Sequence, residues 1–249
     1  MTALALVVDV GSRGGLHPRW KRVADRITVV AFDADRGADA PRSTYPIEYR
    51  TGALSDTTRE ATLYLTRKPA CSSLFHPNRE LLDHFPESER YDVVKEIPIE
   101  TRPLTSFGMD PDFLKLDTQG SELDILKGAP LDGAIGLEVE VEFVPLYTGQ
   151  PLFADINWWL VGSGFVLVDV TREYWRRSSG SWQLVFGDAL YLRDRDSLDT
   201  GQQRKLDTIE RAYGYGEQRR FVRGANRISR WLAQYTRKGW YYADDGLGL

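Results

Sequence analysis

The sequence predicts an α/β fold: a mostly parallel, doubly wound sheet followed by a helical appendage. Three observations carry this. Short β-branched runs recur and end in an acid and a turn: A-L-V-V-D-V-G-S-R-G-G from Ala5, I-T-V-V-A-F-D from Ile27, and F-L-K-L-D-T-Q-G from Phe113. Helical spacing alternates with these runs, as in sheets whose parallel strands need crossovers. After Ser197 the pattern changes to a basic one with apolar residues at seven-residue spacing.

Composition bounds what the chain does. With 249 residues, 42% of them hydrophobic, one large domain with an extension is expected, which we place at 1–195 and 196–249. A formal charge of -4 gives no reason to expect a nucleic-acid partner. The single cysteine, Cys71, excludes an internal disulfide framework and a cysteine-rich metal site. No apolar run approaches the roughly 18 residues of a membrane span. The apolar N-terminal stretch lacks a basic leader and meets Asp9 too early for a signal peptide, so a cytoplasmic location is the expectation.

The first element is a buried strand breaking into a glycine loop at Gly11, Gly14 and Gly15, where the backbone can turn sharply and something can lie against it. Ligands of such sheets gather at the carboxyl ends of strands, so Asp9 is expected to face a bound molecule. A dinucleotide fingerprint would need glycines where Arg13 and Leu16 stand, and no G-K-S or G-K-T follows for a nucleoside triphosphate. A phosphate-free adenosine with a positive centre suits the acids better. S-adenosylmethionine is such a ligand, with Asp9, Asp33 and the Ser12 to Gly15 backbone as its expected partners.

A short helix is expected from about Arg19, then a strand over Ile27–Phe32 ending at Asp33. Asp33 follows Asp9 at about the spacing at which an acid meets a ribose, with helix or turn capping as the plainer role. Residues 35–42 look like loop. Ile47–Thr51 reads as a third strand running into Gly52, Ala53 and Leu54, the expected adenine edge. The alternation over Ala61–Thr66 predicts an antiparallel strand. Ala70–Pro77 is expected to reach over the pocket, carrying His76 as a base or simply as a solvated side chain. Asn78–Phe85 reads as a short helix or loop, and Val93–Ile99 alternates again. Phe113–Asp117 is a further strand, whose acid belongs at the ligand edge. Ser121 and Asp124 form a capping pattern for a helix closed by Lys127 and Gly128.

The run K-L-D-T-Q-G-S-E-L-D-I-L-K-G-A, then L-E-V-E-V-E-F-V-P-L-Y-T-G-Q-P-L-F and G-S-G-F-V-L-V-D, resembles the FkbM family of S-adenosylmethionine-dependent methyltransferases. The earlier D-V-G-S-R-G-G, A-F-D-A-D and A-L-S-D pieces fall in the order the family has. The resemblance covers about residues 5–194. It implies a Rossmann-like class I methyltransferase sheet whose last strand is antiparallel, and an S-adenosylmethionine site at Asp9, Gly11, Ser12, Arg13, Gly14, Asp33, Ala53, Leu54 and Asp117. Where the family more often has Ala-Asn and Glu-Pro, this chain has Ser12-Arg13 and Asp33-Ala34; an Asp can still hold a diol, and Arg13 can meet the methionine carboxylate.

Over Gly136–Phe143 the apolar Leu137, Val139, Val141 and Phe143 alternate with Glu138, Glu140 and Glu142. A central strand should be apolar on both faces, so three acids on one face should be solvated or used. Glu140 matches the family's glutamate ahead of P-L-Y and is the favoured site acid. Pro151–Val161 predicts a helix with Phe153, Ile156 and Leu160 inward. Phe165–Val170 and Trp182–Leu192 read as the last two strands. Their connection, Thr171–Ser181, would place Trp175 and Arg176 on the acceptor side or form a solvated hairpin. Leu206, Ile209 and Tyr213 suggest one helix beyond the resemblance. Phe221, Ala225, Ile228, Leu232 and Tyr235 suggest a second, ringed by arginines, that packs on the domain or on a sister subunit, or meets an anionic acceptor or surface.

The expected chemistry is methyl transfer to a hydroxyl of a sugar, glycan or polyketide-type acceptor. Asp117, Glu140 and His76 are the candidate bases. The clustered acids could instead hold a divalent cation, although no ligand spacing demands one. A nicotinamide oxidoreductase and a non-catalytic binding module are the alternatives.

Overall fold

The computed structural model describes residues 4–13, 15–34 and 47–215. Its main sheet contains β1 (Ala5–Val10), β2 (Ile27–Asp33) and β3 (Ile47–Thr51). A smaller sheet follows from β4 (Ala53–Leu54), β5 (Arg59–Thr66) and β6 (Val93–Arg102), with the short helix α1 (Arg79–Leu82) between the last two. The main sheet resumes with β7 (Phe113–Leu116), helix α2 (Glu122–Lys127), β8 (Gly136–Glu142), helix α3 (Phe153–Gly162), β9 (Phe165–Val170), β10 (Glu173–Arg176) and β11 (Trp182–Arg193). Helix α4 (Thr200–Tyr213) closes the described chain.

The strand order is β10-β11-β8-β7-β1-β2-β3, with β9 also on β11. Strands β3, β2, β1, β7 and β8 run parallel, and β11 enters antiparallel to β8. The order in which strands are added therefore reverses between β1 and β7, the place where open parallel sheets make a crevice at their carboxyl ends. This is the mostly parallel sheet with an antiparallel last strand that the sequence predicts.

One face of the sheet is apolar. Val8, Val10, Leu114, Leu116, Leu137, Val139 and Val141 pack with Leu123, Ile125 and Leu126 of α2 and Ile156 and Leu160 of α3. Each such side chain contributes about 1.5–3 kcal/mol by leaving water. The other face is charged at its centre: Asp9, Lys115 and Glu138 face one another in register across β1, β7 and β8. Arg19 closes this row with an ion pair to Glu138 at 2.6 Å. All three glutamates of β8 are buried rather than solvated.

Several local expectations are corrected. The segment after the glycine loop is a 3-10 run over Pro18–Arg26 that breaks at Val23, not a regular α-helix. Its buried residues, Trp20 and Val23, lie three apart, the spacing of a three-residue turn. Ser121 precedes α2 without capping it. Its hydroxyl bonds Thr118 Oγ1, while the Glu122 carboxylate accepts the backbone N–H of Thr118 and Gly120. The connection between β9 and β11 contains β10, because β11 is long enough to pair with β10 near its start and β9 near its end. Helix α4 buries Leu206 and Ile209, and Lys205 pairs with Asp112 at 2.8 Å. The chain divides into Met1–Ala212 and Tyr213–Leu249, and α4 as far as Ala212 falls in the first unit. The heptad-like stretch from Phe221 lies outside the described residues, as does Gly14. No described helix is long and apolar enough to cross a membrane.

Candidate active site

A cavity of about 240 Å³ opens at the carboxyl ends of β1, β2 and β7. Its floor is set by Gly11. There the chain takes φ +78°, and a Cβ would fall 1.8 Å from the carbonyl oxygen of Asp117. Only glycine lets the tips of β1 and β7 touch in this way. The Gly11 N–H is held by the Phe32 carbonyl at 2.9 Å, which locks the turn to β2. Asp33 and Ala34 continue from β2 along the wall, and Ala53 and Leu54 follow from β4. Leu63 of β5 and residues of the segment 69–74 complete the lining, so the first part of Ala70–Pro77 reaches the cavity.

Asp117 and Glu140 also line the cavity, with the Gln119 amide between them. The Gln119 amide nitrogen donates to Asp117 Oδ1 at 3.2 Å and to Glu140 Oε2. The other oxygen of Asp117 lies 3.4 Å from Lys115 Nζ. Burial, reinforced by the charges of Asp117, Glu142 and Glu122, pushes the Glu140 carboxyl well above the usual carboxylate range. Burial alone would lower Lys115, but the carboxylates of Asp9, Asp117, Glu138 and Asp188 raise it and keep it charged.

Of the expected site residues, the cavity brings together Gly11, Arg13, Asp33, Ala53, Leu54, Asp117 and Glu140. The others lie elsewhere. Asp9, expected to face a bound molecule, is 1% exposed and sits beneath the site against Lys115 at 3.4 Å. Its position one residue before the end of β1 keeps it under the ladder. Ser12 is buried, with its backbone N–H on the Phe32 carbonyl. His76 is exposed and outside the lining; its ring bonds the Pro77 carbonyl at 3.0 Å and packs edge-on to Tyr64. Trp175, expected on the acceptor side, is packed among Phe85, Tyr91 and Phe186 with Arg90 over its ring at 4.4 Å. Arg176 is exposed and reaches back to the Gly180 carbonyl.

Sequence reasoning missed Gln119 and Ser73. Gln119 lies in the turn after β7 and Ser73 in a bridge to Tyr64, and their role depends on a contact between distant segments: Ser73 Oγ donates to the Gln119 carbonyl at 2.6 Å. The adjacency of Gln119 to Asp117 and Gly120 was the one signal available. Among the described residues no cluster of His, Cys, Asp and Glu has the geometry of a metal site.

An antiparallel strand inserted at the end of a parallel sheet, with a glycine turn and acids at the crevice, defines a class I methyltransferase fold. The chain belongs to the FkbM methyltransferase family: the model of the Methyltransferase FkbM domain matches residues 9–167, well over half of its length. It is thus an S-adenosylmethionine-dependent methyltransferase. No curated protein matches it. Among solved structures it is similar to an S-adenosylmethionine-dependent methyltransferase from Methanosarcina mazei, at 10% identity over 78% of this chain and 94% of that one, with a TM-score of 0.35. A hemolysin candidate from Streptococcus thermophilus aligns at 11% identity over 88% and 70%, with a TM-score of 0.39. An RNA methyltransferase candidate from Pyrococcus horikoshii aligns at 10% identity over 79% and 77%, with a TM-score of 0.35. Family membership rests on the domain match, and the fold on the strand order, not on these distant likenesses.

The cavity suits the cofactor. At Gly11 a Cβ would strike the Asp117 carbonyl, and the lining joins apolar groups such as Val10, Phe32 and Leu54 to the acids Asp33, Asp117 and Glu140 and to Arg13.

Proposed function

We propose that this protein methylates a hydroxyl oxygen of a small-molecule or glycan acceptor, such as a sugar or a polyketide. The observation that carries the reading is the pair of carboxylates, Asp117 and Glu140, in the lining of one cavity with Asp33 and Leu54 and joined by the Gln119 amide. S-adenosylmethionine, when bound, supplies an electrophilic methyl group on a cationic sulfur. Asp33 would hold its ribose diol, Arg13 its carboxylate, and Ala53, Leu54 and Phe32 its adenine, with the backbone at Gly11 beneath. Asp9 would act one layer down, keeping Lys115 in place.

An alkyl hydroxyl is a poor nucleophile, and a carboxylate within hydrogen-bond reach makes it a better one by accepting its proton. Asp117 is the more open of the pair and would meet the acceptor. Burial and acidic neighbours raise the proton affinity of Glu140, which would take up the proton behind it. In-line displacement otherwise asks for alignment and exclusion of water, which the 69–74 segment in the cavity lining favours.

Transfer of labelled methyl from S-adenosylmethionine to a panel of sugars, glycans and polyketides tests this. Turnover with a hydroxyl acceptor, abolished by Asp117→Ala and Glu140→Ala, is the expected result. Calorimetry with S-adenosylmethionine, S-adenosylhomocysteine and NAD provides the control, and heat with NAD alone would overturn the reading.

A further inference from the structure

The turn after β7 contains a feature that a simple reversal of the chain does not need. Gln119 takes φ +61°, a left-handed conformation that is uncommon for a residue with a Cβ. A glycine follows it directly and also has positive φ, so the turn could have been built from two glycines. Such strained positions persist where surrounding contacts over-determine them, and they cluster at functional sites. Gln119 is held at both its backbone and its side chain. Its carbonyl accepts the Ser73 hydroxyl at 2.6 Å. Its amide nitrogen donates to Asp117 Oδ1 and Glu140 Oε2, and its amide oxygen faces the Tyr147 hydroxyl at 2.9 Å.

We infer that Gln119 is the positioning residue of this site: its amide gives one N–H to each of Asp117 and Glu140 and holds the two carboxylates on a common edge of the cavity, with Tyr147 fixing which way the amide faces. The inference rests on the proposed role of the two carboxylates. A side-chain amide has two N–H donors and one acceptor oxygen, so two carboxylates consume its donors. The orientation is therefore set from both ends. Tyr147 is fully buried, and burial pushes its hydroxyl far above its ordinary value, so it remains a donor. Its single proton is shared between Gln119 Oε1 and the Cys71 carbonyl, each at 2.9 Å. Without the amide, the two carboxyl groups would lose the bridge that joins them. With it, the acceptor oxygen meets a fixed pair.

A residue that merely shaped the turn would leave proton affinities unchanged, and the test uses this. The groups that face Glu140 are Asp117 and, through it, Lys115 of β7, Glu122 of α2, Glu142 of its own strand, Asp188 of β11, and Tyr91 and Tyr147. Their titrations are followed by ¹³C NMR of the carboxyl carbons in the full chain, without acceptor. Three variants are compared. Gln119→Glu keeps the shape, removes the donors and adds an acid. Gln119→Gly keeps the left-handed turn and removes the amide. Tyr147→Phe removes only the hydroxyl that orients it. The Glu140 carboxyl is expected to titrate about one unit higher or more in Gln119→Glu and Gln119→Gly, and by less in Tyr147→Phe. With a hydroxyl acceptor from the panel, kcat is expected to fall about 100-fold in the first two while S-adenosylhomocysteine binding stays within about threefold. The acidic limb of the pH–rate profile is expected to move upward in Gln119→Glu. An unmoved Glu140 titration in Gln119→Gly, or wild-type kcat in that variant, overturns the inference. Failure of the wild type to methylate any hydroxyl would overturn the proposed function instead, and the carboxyl titrations would still decide the role of Gln119.

Discussion

Asp9 and Asp117 stand on adjacent parallel strands, on the same face of the sheet, and share one lysine at the same distance. Lys115 Nζ is 3.4 Å from Asp9 Oδ1 and 3.4 Å from Asp117 Oδ2. Their surroundings are opposite. The Asp9 side chain is 1% exposed, and burial raises its carboxyl despite the pull of Lys115; the Asp117 side chain is 38% exposed and lines the cavity. The register explains the difference. Val10 pairs with Leu116, so Asp9 pairs with Lys115 inside the ladder, while Asp117 lies one residue beyond the last rung. Two residues along the strand, roughly 7 Å at strand rise, separate a buried aspartate from one that lines the cavity.

The largest expected effect breaks the comparison at its shared partner. Lys115→Met removes the cation from a buried carboxylate and should cost about 3–5 kcal/mol of folding stability, read by chemical denaturation. A loss below about 1 kcal/mol would mean that Asp9 is not held as an ion pair. Next come the two aspartates themselves. Asp117→Asn should lower kcat about 100-fold, about 2.7 kcal/mol at the transition state, with little change in melting temperature. Asp9→Asn should do the reverse, shifting the melting curve while turnover at saturating cofactor falls less than about tenfold. If both variants lose activity equally at unchanged stability, the contrast fails.

The strands, the crevice and the acids at their tips were legible in the sequence because period-two apolar runs and glycine turns are local signals. Asp33, Leu54, Asp117 and Glu140 could be placed from such signals and from the family resemblance. Asp9 was misjudged because its partner lies about a hundred residues away on β7, and the register that pairs them is not written in either segment. Trp175 failed for a related reason: β10 and the aromatic cluster of Phe85 and Tyr91 come from separate stretches that meet only in the fold. Gln119 escaped notice because its importance lies in a backbone angle and in contacts between distant segments.

The contrast between a cavity-lining acid and a buried one repeats on β8. Glu140 reaches the cavity. Glu142, two residues on, is 1% exposed, and neither of its carboxylate oxygens has a hydrogen-bond partner among the described residues. Burial, then the charge of Glu122, raises its carboxyl well above the ordinary range. Its native form therefore binds a proton that the unfolded chain has released. Stability contributed in this way is intact below the unfolded value of about 4.3 and falls as pH rises from there toward the raised native value. Each unit of elevation costs about 1.4 kcal/mol on the alkaline side. Melting curves between about pH 5 and pH 9 should decline in the wild type and decline less in Glu142→Gln. Parallel slopes in the two proteins would show that Glu142 titrates normally.

The smallest effect is expected at His76, the third candidate base. A base must come within hydrogen-bond reach of the proton it takes, directly or through one water. The His76 ring instead bonds the Pro77 carbonyl and lies against Tyr64, and its own carbonyl accepts the Thr148 N–H. Those contacts fix the loop from outside the cavity and leave the ring exposed. His76→Ala should therefore keep kcat within about twofold and leave the pH–rate profile in place, while Asp117→Asn measured beside it loses both. If His76→Ala lost activity to the same extent as Asp117→Asn, the base would lie across the loop and not at the β7 tip, and the distinction drawn between acids before and after the last rung would not locate the chemistry.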